Sequence, residues 1–184
     1  PSQAGGTNWA GGSLDPETGI IYLYTYTQVV SLGLINDPER SEMNFIRGRA
    51  SEVSAREASL SIDGIPIIKP PWGRITAIDL NQGEILWQVP HGETPDNIRD
   101  HPRLQGVAIP RTGRGGRIGT LNTKTLVIAG EGGTFTTPSG ERGAMLRAYD
   151  KMTGAEVGEV YMPAAQSGSP MTYVLDGMQY IVVA

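Results

Sequence analysis

Apolar and polar residues alternate with a period of two along much of this chain, and the clearest run lies at residues 70–90, PPWGRITAIDLNQGEILWQVP. Ile75, Ala77 and Asp79 alternate there with Arg74, Thr76 and Ile78, the run breaks over Asp79–Gly83, and Ile85, Leu86, Trp87 and Val89 resume it. This reads as a tight hairpin. The pattern returns at residues 146–163, where Ala148, Asp150 and Gly154 repeat Ala77, Asp79 and Gly83 at an offset of 71 residues. A less complete copy, Asp15–Gly19, leads into a strand in which Ile21, Leu23 and Thr25 alternate with Tyr22, Tyr24 and Tyr26. The tyrosine face is expected to pack between sheets rather than bind. Three copies of Asp-x-x-x-Gly among β-prone residues predict an array of similar four-stranded units. Leu126–Ala129 reads as a buried strand, and Asp176-Gly177 as a hairpin turn between Met171–Leu175 and Tyr180–Ala184. The closing IVVA stops inside an apolar strand, so the last sheet is expected to be unfinished.

Two stretches lack this alternation. Residues 36–59 hold nine charged residues of both signs and read as a solvated rim or lid, with a short helix expected over Ser51–Ser59 capped by Ser51. Residues 91–119 carry Arg99, Arg103, Arg111, Arg114 and Arg117 among glycines. No G-x-x-x-x-G-K-[ST] is present, GRGGRIG misses the G-x-G-x-x-G spacing, and strands follow, so a nucleotide cradle is rejected. The arginines are expected to be solvated, with an anionic ligand as the alternative for any one of them.

Composition narrows the picture. Among 184 residues, 25 Gly and 13 Pro suit short strands and turns, and no apolar run approaches membrane-spanning length, so a soluble chain is expected. A net charge of -4 argues against a nucleic-acid partner. Without cysteine there is no disulfide, thiolate nucleophile or zinc ribbon, and His91 and His101 match no metal-ligand spacing; no catalytic or metal-ligating residue is assigned. At the start, PSQAGGTNWAGG crowds glycines around Asn8 and Trp9. That is either a packing anchor or an amide and an aromatic wall for a ligand.

Four segments together carry a family likeness: GGTNWAGGSLDPETGIIYL, PPWGRITAIDLNQGEILWQ, GTLNTKTLVIAGE, and the run from LRAYDKMTGAEVGEVYMP to IVVA. In order and spacing the chain resembles the C-terminal part of the pyrroloquinoline quinone (PQQ)-dependent dehydrogenases, most closely the membrane-bound quinoprotein glucose dehydrogenases. The resemblance implies an all-β fold: a partial β-propeller of about three to four antiparallel four-stranded blades from an eight-bladed whole, with residues 1–184 as one C-terminal fragment of that domain. It implies a tryptophan-docking motif, Ala-x-Asp-x-x-x-Gly-x-x-x-Trp, matched by Ala77, Asp79, Gly83 and Trp87. The second copy departs from it, with Gly158 at the Trp position.

The resemblance also implies that Asn8 and Trp9 lie at PQQ, with Trp72, Gly73 and Gly119 near the same pocket. The catalytic aspartate, the lysine that polarises the quinone and the ligands of the calcium or magnesium ion would lie outside this chain. The implied parent is a periplasmic enzyme, its inner-membrane anchor left open. It would oxidise a sugar or alcohol and pass electrons to ubiquinone or a cytochrome, the fragment alone being inactive. The implied protein partners are the remainder of the propeller, or further copies through exposed blade edges. The rival expectations are a cofactor-free propeller serving as an assembly scaffold and a self-contained β domain.

Overall fold

The computed structural model describes residues 6–7, 10–48, 60–137 and 139–184. In chain order, β1 (Gly12–Asp15) and β2 (Ile20–Tyr26) form a hairpin, followed by two small hairpins, β3 (Gly33–Ile35) with β4 (Ile46–Gly48) and β5 (Ser61–Ile62) with β6 (Ile65–Pro66). Then come β7 (Gly73–Asp79), β8 (Glu84–Pro90), a single turn of helix α1 (Asp96–Arg99), β9 (Leu121–Asn122) and β10 (Leu126–Gly130). The chain continues with β11 (Phe135–Thr136), β12 (Arg142–Asp150), β13 (Glu156–Met162), β14 (Met171–Leu175) and β15 (Met178–Val182).

Two antiparallel ladders organise these strands, β1-β2-β7-β8 and β9-β10-β12-β13, with β11 added at the start of β12 and β14-β15 standing as a separate hairpin. The two ladders repeat each other in register. Ala77 opposes Trp87 as Ala148 opposes Gly158, and each pair is followed by a register shift at the next residue.

The recurring Asp-x-x-x-Gly segments are one device used three times. Asp15, Asp79 and Asp150 each accept a backbone N–H two residues on, from Glu17, Asn81 and Met152. Each turn closes on a glycine at φ of +72, +73 or +72, where an L-residue is strained. Their places differ, however. Asp79–Gly83 joins β7 to β8 and Asp150–Gly154 joins β12 to β13, whereas Asp15–Gly19 joins β1 to β2 of the first ladder. The third copy therefore marks a turn and not a further blade. With residues 27–72 and 91–120 spent mainly on connections, the described residues make two complete four-stranded blades and the opening hairpin of another. The partial antiparallel propeller itself is as expected.

The core lies between the two ladders. Tyr22, Tyr24, Ile75 and Ala77 of the first meet Val127, Ala129 and Tyr149 of the second, with Ile118 of the connection between them. Burial follows the period of two along β2, where Ile20, Tyr22 and Tyr24 are buried and Ile21 and Leu23 are less so. At one edge β1 touches β9, Ser13 Oγ lying 2.8 Å from Thr120 Oγ1. At the other, Trp87 locks the ladders together. Its Nε1 donates to the Lys151 carbonyl at 3.1 Å, its ring lies 5.8 Å from Tyr22, and it covers Gly154 so closely that a Cβ there would fall 2.6 Å from the indole. Lys151 adds an ion pair across the same joint, 2.8 Å to Asp15, and holds the Asp15 carboxyl down to about 2. At Gly158 a Cβ would meet nothing, so that position is open.

The described part of residues 36–59 is mostly exposed, as a solvated rim would be, and adds one short strand. Within residues 36–59, β4 pairs with β3; the helix expected over Ser51–Ser59 lies outside the described residues. No helix among the described residues is long and apolar enough to cross a membrane. Apolar side chains remain exposed on the outer strands, among them Ile85, Val157, Val160, Val174 and Met178.

Candidate functional site

The β2–β7 and β10–β12 connections and the long β8–β9 connection gather at one end of the ladders, and residues 112–119 run through the middle of them. This is the GRGGRIG region, and its glycines serve close backbone approach. Trp72 N donates to Thr112 O at 2.7 Å, and Gly73 and Gly113 pass so closely that neither tolerates a Cβ. Further along, Gly115 lies against Tyr26, and Gly116 crosses Gly132, where a Cβ on either would fall 2.6 Å from the other's Cα. Gly119 closes the run: its N–H donates to Gly168 O at 2.8 Å, its carbonyl accepts from Gln166 Nε2 at 2.9 Å, and a Cβ on it would sit 2.7 Å from Ala10 O.

One segment thus connects Trp72 and Gly73 at one end to Gly119 at the other, the three site residues foreseen from the sequence that the structure describes. Asn8 and Trp9 lie outside the described residues. Their described neighbours are tied to the same region. Gly6 O accepts from Tyr26 N at 2.8 Å, and Ala10 O accepts from Ser169 Oγ at 2.7 Å.

Trp72 is held on three sides. Its indole Nε1 donates to Ile68 O at 3.1 Å and its backbone carbonyl accepts from Thr27 N at 2.7 Å, in addition to the Thr112 contact. The ring is buried and lines two cavities, one of about 220 Å³ toward Thr27 and Ser61 and one of about 260 Å³ toward Ile98 and Ile109.

Two cations beside this segment keep an unpaired donor. Arg74 donates through Nη2 to Thr27 Oγ1 and Arg114 through Nη1 to Thr134 O, but the Nε of each is buried without a partner. Burial pushes the Arg114 guanidinium below its ordinary range, against the favourable fields of Glu131 and Asp96. The reading of the arginines as solvated holds for Arg99, Arg103 and Arg117, which are exposed, Arg99 pairing with Asp96 and Asp100 and Arg103 with Asp63; it is corrected for Arg111, which is partly buried and pairs with Glu93 and Glu156, and for Arg114, which is half-buried.

A second polar cluster, unforeseen from the motifs, is centred on β12. Arg147 on β12 is 1% exposed and meets four carboxylates: Glu93 at 2.7 Å, Glu131 at 2.8 Å, Glu156 at 2.7 Å and Glu159 at 2.5 Å. Burial opposes its charge, and Glu131, Glu156 and Glu93 outweigh burial and raise its pKa. Glu131 is fully buried; burial raises its pKa against the pull of Arg147, and its Oε2 has no partner. His91 is buried beside it, with Nδ1 2.8 Å from Tyr149 Oη and Nε2 3.0 Å from Gly130 O. Burial brings its pKa down to about 4. Both ring nitrogens are engaged, so His91 is a packed neutral side chain. Among the described residues no three acidic or histidine side chains are disposed to hold a metal ion. The only sequence signal for Arg147 is a charge between Leu146 and Ala148, in a strand otherwise apolar on that stretch.

A family profile described as "PQQ: Glucose/ethanol/alcohol dehydrogenase, beta-propeller domain" matches residues 1–181. The chain belongs to this PQQ-propeller family. Among curated members, all of this chain aligns at 31% identity with 26% of the glycerol dehydrogenase large subunit of Gluconobacter thailandicus. It also aligns at 29% identity with 24% of a probable quinate dehydrogenase (quinone) of Xanthomonas campestris pv. juglandis. A crystal structure of quinohemoprotein alcohol dehydrogenase from Comamonas testosteroni superposes on 98% of this chain and 22% of its own, with TM-score 0.62 and 23% identity, which shows the shared fold. The chain spans about a quarter of the length of the curated relatives it matches. Within a PQQ propeller the two ladders are adjacent blades, and Trp87 on Gly154 is the docking contact between them. A planar quinone bearing carboxylates matches the chemistry of the 112–119 region: an aromatic side chain fixed at Trp72, glycines that admit close approach, and two buried guanidinium N–H groups without partners.

Proposed function

We propose that this chain is the C-terminal part of the propeller of a periplasmic PQQ-dependent dehydrogenase that oxidises a sugar or an alcohol and passes electrons to a quinone or cytochrome acceptor. The observation that carries this reading is the family match over residues 1–181, together with the single segment that joins Trp72–Gly73 to Gly119. The residues that would hold the cofactor are Trp72, Gly73 and Gly119, with Asn8 and Trp9 from the neighbouring glycine-rich stretch. Arg74 and Arg114 would supply donors to its carboxylates. When bound, PQQ supplies the electrophilic quinone that takes up the electrons of the alcohol. The chain's own part would be to wall the site, with Trp72 as its aromatic side, and to exclude water from it.

No residue here takes the role of general base. The aspartate, the lysine and the calcium or magnesium ligands are assigned to the rest of the protein, and these 184 residues alone are inactive. The exposed apolar rows of the outer strands are covered by neighbouring blades or by further copies.

The test is an anaerobic titration of the full-length protein with PQQ and calcium, followed by dye reduction with glucose, glycerol, quinate and simple alcohols. Gly119→Ala drives a methyl group into Ala10 O and the Ser169 side chain, next to Asn8 and Trp9 in sequence, and is expected to weaken PQQ binding at least about tenfold. Asn8→Ala is expected to do the same. Unchanged PQQ affinity in both variants would favour the cofactor-free scaffold, and turnover by the isolated 184 residues would place the base within this chain.

A further inference from the structure

The contact between Tyr149 and His91 sets this tyrosine apart from others in the chain. His91 Nε2 lies 3.0 Å from Gly130 O, which can only accept, so that nitrogen carries the hydrogen of the neutral ring. Nδ1 then presents its lone pair, and the Tyr149 hydroxyl, 2.8 Å away, donates to it. Tyr22, Tyr24 and Tyr161 instead donate to the carbonyls of Lys151, Arg114 and Arg142, none of which takes up a proton. Of these four tyrosines, Tyr149 is the one whose hydroxyl faces a base.

Its surroundings suit electron transfer. Both residues are 1% exposed, which shields a reactive species on either from solvent, yet Tyr149 also lines a groove of about 320 Å³ with Val89, Pro90, Arg111 and Ala155. In the other direction, rings run in near contact toward the glycine-rich segment. His91 meets Tyr24 edge-on at 5.7 Å, Tyr24 stacks on Tyr26 at 6.5 Å, and Tyr26 lies against Gly115. Rings this close let an electron move in short steps. Losing an electron makes a phenol a strong acid, and beside a base its proton crosses one hydrogen bond without reaching water. Burial, with Arg147 and Arg111, holds His91 down to about 4 against Gly130 O and Glu156, but an oxidised phenol is a far stronger acid than that.

We infer that Tyr149 and His91 form a proton-coupled redox pair that intercepts small oxygen-centred radicals entering the groove. One electron passes from Tyr149 to the radical, for which carbonate radical anion serves as the example, and the anion leaves as carbonate. The hydroxyl proton passes to His91 Nδ1, leaving a neutral tyrosyl radical beside an imidazolium. One electron from a donor of the hydroquinone class, with the proton returned from Nδ1, restores the phenol. Tyr26 and Tyr24 lead that electron in from residues 112–119. The inference rests on the reading above only for the donor, so the radical is measured in the full-length apoprotein, without PQQ and without turnover.

Carbonate radical anion is generated by photolysis, the samples are frozen, and the protein radical is read by electron paramagnetic resonance in ordinary and in heavy water. Wild type is expected to give a neutral tyrosyl radical with a hyperfine coupling to one exchangeable proton, that of the imidazolium, and the coupling disappears in heavy water. Tyr149→Phe keeps the packing ring and is expected to lose this signal. His91→Asn removes the base and is expected to lose the coupling, while Tyr161→Phe, on the exposed face of β13, leaves both unchanged. Urea midpoints establish that each variant is folded. The radical should persist in Gly119→Ala, where PQQ binding is expected to fail, so the two readings fail separately. A wild-type radical without the exchangeable coupling would overturn the assignment with no variant needed. An undiminished signal in Tyr149→Phe would do the same and give the radical to another tyrosine.

Discussion

Gly83 and Gly154 occupy the same place in two copies of one turn, at φ +73 and +72, and differ in what stands over them. A Cβ on Gly83 would meet nothing within 4 Å, whereas one on Gly154 would lie 2.6 and 2.7 Å from ring carbons of Trp87. Gly83→Ala therefore measures the left-handed backbone alone, roughly 1–2 kcal/mol. Gly154→Ala adds the overpacking of the indole, about 1–3 kcal/mol more, and loosens the Nε1 bond to Lys151 O. Trp87→Ala is itself costly, toward about 3 kcal/mol because the ring is only partly buried. In a Trp87→Ala background the extra cost of Gly154→Ala should vanish, leaving it equal to Gly83→Ala. The assay is equilibrium urea unfolding of the full-length protein, comparing midpoints at unchanged slope across the single and double variants. Equal costs for Gly83→Ala and Gly154→Ala in the wild-type background, or a difference that survives Trp87→Ala, would refute the docking of Trp87 on Gly154 as the lock between blades.

Two further outcomes follow from the buried polar groups. His91 is neutral in the folded state with a pKa near 4, against about 6.5 when unfolded, so the unfolded chain binds the extra proton between these values. Its contribution is full above about pH 6.5 and is lost as pH falls toward 4, amounting to roughly 3 kcal/mol across the window. Arg147 and Arg111 add to this resistance to protonation and Glu156 opposes it, and the difference in urea stability between wild type and His91→Asn should shrink as the pH is lowered. Arg147→Met would strand Glu131 and its three carboxylate neighbours and cost about 3–5 kcal/mol. Adding Glu131→Leu should recover part of that loss, and Arg147→Lys should not restore wild-type stability, because three donors cannot serve four carboxylates; urea midpoints read both.

Local patterning was enough to specify the hairpins, because alternation and the Asp-x-x-x-Gly turn are written within a few residues of one another. Tyr22, Tyr24 and Ala77 were legible as an inward face for the same reason, and the likeness to the PQQ family placed Trp87 as a blade lock. Where a turn falls within a blade is not local. Asp15–Gly19 and Asp79–Gly83 look alike in sequence, but one joins β1 to β2 and the other β7 to β8, and only strand order separates them. The candidate site divides along the same line. Trp72, Gly73 and Gly119 stood out as motif residues, but their connection through residues 112–119 depends on backbones that meet across the fold.

Beyond one charge in an otherwise apolar strand, the Arg147 cluster and the packed His91 were not legible in the sequence, since Glu93, Glu131, Glu156 and Glu159 lie up to 54 residues from the arginine they surround. By itself the sequence determined strands, turns and family, which rest on short-range periodicity and on motifs. The tertiary structure alone decided which charges are buried together, what covers Gly154 and which cavity Trp72 walls. Those are properties of two sheets packed face to face, and no single segment contains them.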